Sequence, residues 1–347
     1  MMSDVLSVLQ RSLDIGAGPL APEETQALAQ LRLKINQTLS EVSASPVFAD
    51  VYPVGSPLSQ TLKTWLNSPE DQLQICACVM LGNLARSDEV CEMMVRELQI
   101  HKNLIQILKS DARGAVLHST LGFLKNLAIA GDNKLALGEA DIIPAVSHLW
   151  SYETVPQVQF AATSIARQLI ISSVENITRL LETLPEDQTQ TYLSLLLALS
   201  GKTDSTPIKT EIGRIVASIC RTVIPKSREE DAAARGLVER LFSMHDAVAL
   251  PLGDMIAQTQ WPVVRSEGWF ALALMGSSEL GAGAVVGCLQ KQNLLPLIKE
   301  VLHENPETAD EADKLRLTKD RDNITVLVQE LLKNEVRCLS LLRLGTF

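Results

Sequence analysis

An all-α fold of stacked helical repeats is what this sequence predicts, and three observations predict it. Apolar residues recur at helical spacing through most of the 347-residue chain. They make up 46% of it while aromatics make up only 4%, which suits Leu, Ala, Ile and Val ridges between helices better than a β core. Finally, the stretch from Leu73 to Trp150 states one pattern twice: laying GNLA on KNLA places Asn83 over Asn126, 43 residues on. That period lies within the range of about 40–47 residues typical of HEAT and armadillo units. A single unit cannot bury its apolar faces and must stack on a neighbour. The expected product is an armadillo/HEAT-like right-handed superhelical solenoid of about seven to eight repeats with a concave groove.

In chain order, residues 1–56 read as degenerate repeats: VLSVLQRSL, a break at IGAGPLAP, then Pro22 with Glu23 and Glu24 opening the helix QALAQLRLKINQTLSEV. Superimposing LSEVSAS on LGNLARS puts Glu41 at the position of Asn83, 42 residues earlier. VYPVGSP is a turn, and LSQTLKTWL opens the clearest repeats, 57–184. Within these, Pro156 starts a helix that places Arg167 at the site held by Asn126. Residues 185–347 are expected to contain an insertion, because Arg221 reaches the equivalent site only after 54 residues; one extra helix accounts for the excess. PKSREEDAAARG reads as a solvated loop or a helix start, LVERLFSM as a short helix, and SEGWFALALMG brings apolar Leu274 to the repeated position. Gly281, Gly283 and Gly287 lack GxGxxG spacing and read as an inter-helix turn followed by a tightly packed helix. Glu304, Glu307, Asp310, Glu311 and Asp313 mark a polar loop over about 303–322. NITVLVQELLKNEVRCLSLL completes the stack, and the whole of 1–347 is expected to be one repeat domain.

A net charge of −10 and a pI near 5.1 argue against nucleic acid and against anionic membrane, and favour a basic partner. No apolar run reaches the roughly 18 residues of a spanning helix, and the start lacks a basic region followed by an apolar one, so neither membrane insertion nor a signal peptide is expected. A cytoplasmic monomer, also entering the nucleus, is the expectation. The six cysteines (Cys76, Cys78, Cys91, Cys220, Cys288, Cys338) form no CxxC pair, and the five histidines stand apart. With no Walker, HExxH, GxSxG or kinase signature, no catalytic, metal or cofactor site is expected, and the protein is not read as an enzyme.

The residues repeated once per unit are Glu41, Asn83, Asn126, Arg167 and Arg221. On a helix lining the groove they form a row of donors and acceptors for a protein surface. Equally, inner-helix Asn side chains satisfy backbone groups of the neighbouring unit. At LQICACVMLGNLARSD, VLHSTLGFLKNLAIAGDNK, PQVQFAATSIARQLI, EIGRIVASICR and SEGWFALALMG the chain resembles the small-GTPase GDP-dissociation stimulators, the Smg GDS family, and specifically their C-terminal half. The resemblance implies binding of Ras and Rho family GTPases with basic C-terminal tails, with stimulated GDP release or chaperoning. It also implies contact through Asn83, Arg86, Ser87 and Asn126, with Arg167 and Arg221 further along. Ser87 stands where the family has a second Asn, and the family's prenyl-accepting N-terminal repeats have no counterpart here. Two other readings stand beside it. One is a generic armadillo scaffold or assembly factor without a GTPase partner. The other is a nuclear-import-type adaptor for basic peptides, disfavoured because Val79 and Gly122 occupy the positions where that class carries Trp.

Overall fold

The computed structural model describes residues 2–16, 18, 20–229, 231–304 and 311–334. Internal contacts divide the chain into two compact units, Met1–Gln168 and Leu169–Phe347. In the first, helices α1 (Met2–Gly16) and α2 (Pro22–Ser43) precede α3 (Pro46–Val51), α4 (Pro57–Trp65) and α5 (Asp71–Leu84). Next come α6 (Asp88–Arg96), α7 (Ile100–Lys109) and α8 (Gly114–Ile129), then α9 (Asn133–Glu139), α10 (Ile142–Ser147), a 3-10 turn His148–Ser151 and α11 (Pro156–Ile170), whose end reaches the division. Two shorter helices followed by a long one is therefore the recurring group. Ser56 and Ser87 accept the backbone N–H of Ser59 and Val90, capping α4 and α6 at their N-termini.

The long helices pack side by side, α2 on α5 and α5 on α8. Gly82 sits at the α5–α8 crossing, where a Cβ would lie 3.4 Å from the Cβ of Phe123. That is ordinary van der Waals contact, so the crossing has room for a methyl group there. Leu81, Leu84, Leu121 and Leu124 around it are buried.

In the second unit the same order continues with α12 (Val174–Leu180), α13 (Tyr192–Lys202) and α14 (Thr206–Arg228). It goes on with α15 (Ala232–Met244), α16 (Leu250–Ala257) and α17 (Pro262–Gly276), then α18 (Glu279–Lys291), α19 (Leu295–His303) and α20 (Glu311–Lys333). Four expectations need correction here. The long interval before Arg221 holds no extra helix among the described residues. It is a connection after α12, pinned by an antiparallel bridge between Thr183 and Thr191, followed by a 23-residue α14. PKSREEDAAARG does hold a helix start, α15 opening at Ala232 behind the Asp231 cap, but its first residues form no loop: α14 runs through Pro225 to Arg228, because at that exposed position the helix loses only one backbone hydrogen bond and regains its course within a turn. Gly281, Gly283 and Gly287 all lie within α18, not in a turn; a Cβ at Gly281 would drive into the carbonyl oxygen of Met275 and lie 2.8 Å from Phe242. The polar run about 303–322 is helical from Glu311 onward, since its Lys, Arg and Leu favour helix and Leu317, Ile324, Leu327 and Leu331 supply a buried stripe. Residues 305–310 of that run, and Cys338 with the rest of 335–347, lie outside the described residues.

Candidate partner-binding site

Glu41, Asn83, Asn126 and Arg167 sit near the C-terminal ends of the long helices and Arg221 about two turns before its own; the Ser40 and Gly82 carbonyls at these ends also accept the Ala44 and Ala85 N–H groups, at 2.9 and 3.3 Å. Asn83, half-buried at the end of α5, donates from Nδ2 to the Ser40 carbonyl at 3.2 Å and to Ser43 Oγ at 2.9 Å, both at the end of α2. Asn126 on α8 repeats the gesture one group later, donating to the Gly82 carbonyl at 3.0 Å. Arg86 adds a third crossing to the Ala44 carbonyl. The bridging role is therefore present in the structure. Neither Asn Oδ1 has a partner among the described residues, so each remains an acceptor.

Glu41 is exposed on α2, one residue after the carbonyl that Asn83 holds. Ser87 is committed locally as the cap of α6, its Oγ 3.3 Å from the Val90 nitrogen. Five of the predicted residues, Glu41, Asn83, Arg86, Ser87 and Asn126, are thus gathered along the ends of α2, α5 and α8. Arg167, on α11, is half-buried and engaged in an interaction of its own. Arg221 belongs to the second unit, on α14, with its guanidinium 5.0 Å from the centre of the Phe270 ring.

Period reading passed over two residues of the second unit that act in the same manner. Asn334 donates to the Gly276 carbonyl at 3.0 Å, and Arg228 donates to the Ser277 carbonyl at 3.3 Å, so the end of α17 is held much as the ends of α2 and α5 are. An interval of 58 residues between Asn334 and Gly276 hid the first from a search at 43. A side-chain donor in or just after the last turn of a long helix was the available signal.

The remaining titratable groups are arranged for packing. Burial pushes the thiols of Cys76, Cys78, Cys220 and Cys288 up to about 12 and that of Cys91 up to about 11, so all five stay protonated at neutral pH. Among the described residues no three His, Cys, Asp or Glu side chains converge to hold a metal ion, and no helix is long and apolar enough to cross a membrane.

Comparison with known proteins gives this arrangement a context. No protein-family profile matches the chain. It is 25% identical over 226 residues to Rap1 GTPase-GDP dissociation stimulator 1-B of Xenopus laevis, a match covering 64% of this chain and 34% of that protein. The 1-A form from the same frog matches over the same extent, and the GTPase-GDP dissociation stimulator vimar of Drosophila melanogaster is 23% identical over 218 residues, 33% of its length. The chain thus spans about a third of the length of the curated relatives it matches. Among solved structures, a designed armadillo repeat protein in complex with a (KR)4 peptide aligns over 80% of this chain at 20% identity and a TM-score of 0.58. A second designed armadillo protein aligns over 79% with a TM-score of 0.59. The chain has an all-α armadillo-type fold, and over 64% of its length its sequence resembles the GTPase-GDP dissociation stimulators.

Proposed function

We propose that this protein is a non-enzymatic armadillo scaffold that binds small GTPases of the Ras and Rho families carrying basic C-terminal tails, promoting GDP release, chaperoning them before delivery to membrane, or both. The observation that carries the reading is the 226-residue similarity to proteins named for that activity. Such a stimulator needs no acid or base. It works by binding the nucleotide-free or switch-distorted GTPase more tightly than the GDP-bound form, and that difference in affinity alone shifts the population.

In the first unit the contacts are assigned to the free Oδ1 atoms of Asn83 and Asn126, the spare guanidinium donors of Arg86, and Glu41, Ser87 and Arg167. Arg221 is the contact in the second. The chain's net charge of −10 complements a basic tail and speeds encounter at low ionic strength. The test is release of a fluorescent GDP analogue from a panel of Ras and Rho family GTPases, with and without their basic tails. Faster release, strongest for the tailed forms and weakened by salt, is expected. If no GTPase in the panel binds or loses GDP faster at low salt, the reading fails.

A further inference from the structure

The face shared by α14 and α17 in the second unit carries chemistry that the charge of the whole chain conceals. α14 places Arg214, Arg221 and Arg228 seven residues apart, hence on one stripe, with neighbours separated by roughly 10.5 Å along the axis. Each reaches α17 in a different way. Arg214 clasps Glu267 with two donors, at 2.8 and 3.4 Å. Arg221 lies over the Phe270 ring, and Arg228 reaches the Ser277 carbonyl. Only the first of the three has a carboxylate: among the described residues no ion pair joins Arg221 or Arg228. Beside them on α17, Phe270 is 41% exposed and Val263 66% exposed.

We propose that this face binds an acidic protein segment, with two carboxylates three residues apart in a polyproline II conformation engaging Arg221 and Arg228. Three residues make one turn of that helix and span about 9.3 Å, so both acids share a face at close to the separation of the two arginines. An aromatic ring takes up a cation without consuming its N–H donors, so the Arg221 fork remains available to a carboxylate. The Arg214–Glu267 pair shows the geometry such a rung adopts when its carboxylate is supplied by the chain itself. A basic ligand is disfavoured at this face because its aromatic seat already holds the chain's own guanidinium, the Arg228 rung is cationic, and the one carboxylate, Glu267, is already taken by Arg214. Phe270 and Val263 offer apolar surface to the residues between the two acids. An overall charge of −10 disfavours a long polyanion such as nucleic acid and leaves room for a short acidic stretch.

The assay needs no GTPase, so its failure leaves the GDP-release reading standing, and failure of GDP release leaves this one standing. Anisotropy of a labelled peptide of repeating Glu-Gly-Gly is titrated with the full chain at low salt, against a Gln-Gly-Gly peptide and a single-stranded oligonucleotide of equal charge. The Glu peptide is expected to bind and the Gln peptide not. The double variant Arg221→Glu with Arg228→Glu should weaken binding by at least about tenfold, the scale of losing charge-assisted hydrogen bonds. Lys226→Glu serves as control, because its exposed side chain is turned well away from the stripe; its affinity should change little. Melting curves by circular dichroism verify that each variant is folded. Absence of Glu-peptide binding, equal loss in the Lys226 control, or equally tight oligonucleotide binding through the same arginines overturns the proposal.

Discussion

At Asn126 one amide group spans two repeats, and removing it has a definable cost. Asn126→Ala deletes the hydrogen bond to the Gly82 carbonyl, which keeps only its longer 3.3 Å bond from the Ala85 N–H, a loss of about 1 kcal/mol. Asn126→Asp keeps the shape but sets a carboxylate against the same carbonyl, so it should cost more than the alanine; urea midpoints of the three proteins check the order. An aspartate as stable as asparagine would mean that the donor is unimportant. Thr191 and His245 make a comparable junction in the second unit, with Thr191 Oγ1 2.7 Å from His245 Nε2 and His245 Nδ1 2.9 Å from the Leu241 carbonyl. The repetition of Asn83 and Asn126 was legible in the sequence because a period survives without a structure. What their amides hold was not, since a bond across 44 residues depends on how two helices cross.

Between the first and second helices of a group the backbone turns through the left-handed region. Gln99 precedes α7 with φ of 52°, Asp141 precedes α10 with φ of 62°, and Asn293 closely precedes α19 with φ of 50°. Asn and Asp tolerate this conformation, whereas Gln does so at a cost of about 1–2 kcal/mol. Gln99 is exposed, so Gln99→Gly removes that cost while losing little packing, and glycine's greater freedom when unfolded takes back part of the gain. A net rise of about 0.5–1 kcal/mol, read as a higher melting temperature, is expected; a fall would show that the Gln99 side chain matters. Helix starts were well marked in the sequence, notably Pro22, Pro57, Pro156 and Pro262 at first helical positions. Less legible were Pro225 and the acid-rich opening of α20. There composition argued for loop while helix propensity and a buried Leu317–Ile324–Leu331 stripe decided for helix.

Across the whole molecule, titration of buried groups shapes stability. Burial holds His101 and His245 below their ordinary value of 6.5, and partial desolvation acts the same way on the more exposed His148, so the unfolded chain takes up their protons first. Their contribution is complete above 6.5 and is lost as pH falls from there through the lowered folded values. Half-buried Asp254 and buried Asp320, raised above 3.8, act in the opposite sense, favouring the folded chain as pH falls through their raised values toward 3.8. Melting temperature should therefore fall as pH drops below 6.5, and His245→Gln should flatten that slope; an unchanged slope would exclude His245 as a source. Within the first unit, the rungs from Asn83 to Ser40 and from Asn126 to Gly82 share one sense, the later group donating, whereas the bonds from Asn36 to Gln72, Lys63 to Leu98 and Arg96 to Asp132 are donated by the earlier group. Stacking of this kind is fastened from both sides. A group deprived of its later neighbour keeps the backbone partner of its helix-end carbonyl, the Ala44 N–H on Ser40 or the Ala85 N–H on Gly82, but strands the donors it sends forward, as Lys63 and Arg96 do. Loss of a group at either end of such an array therefore strands donors on its neighbour, and neither end is favoured as the place where fraying starts.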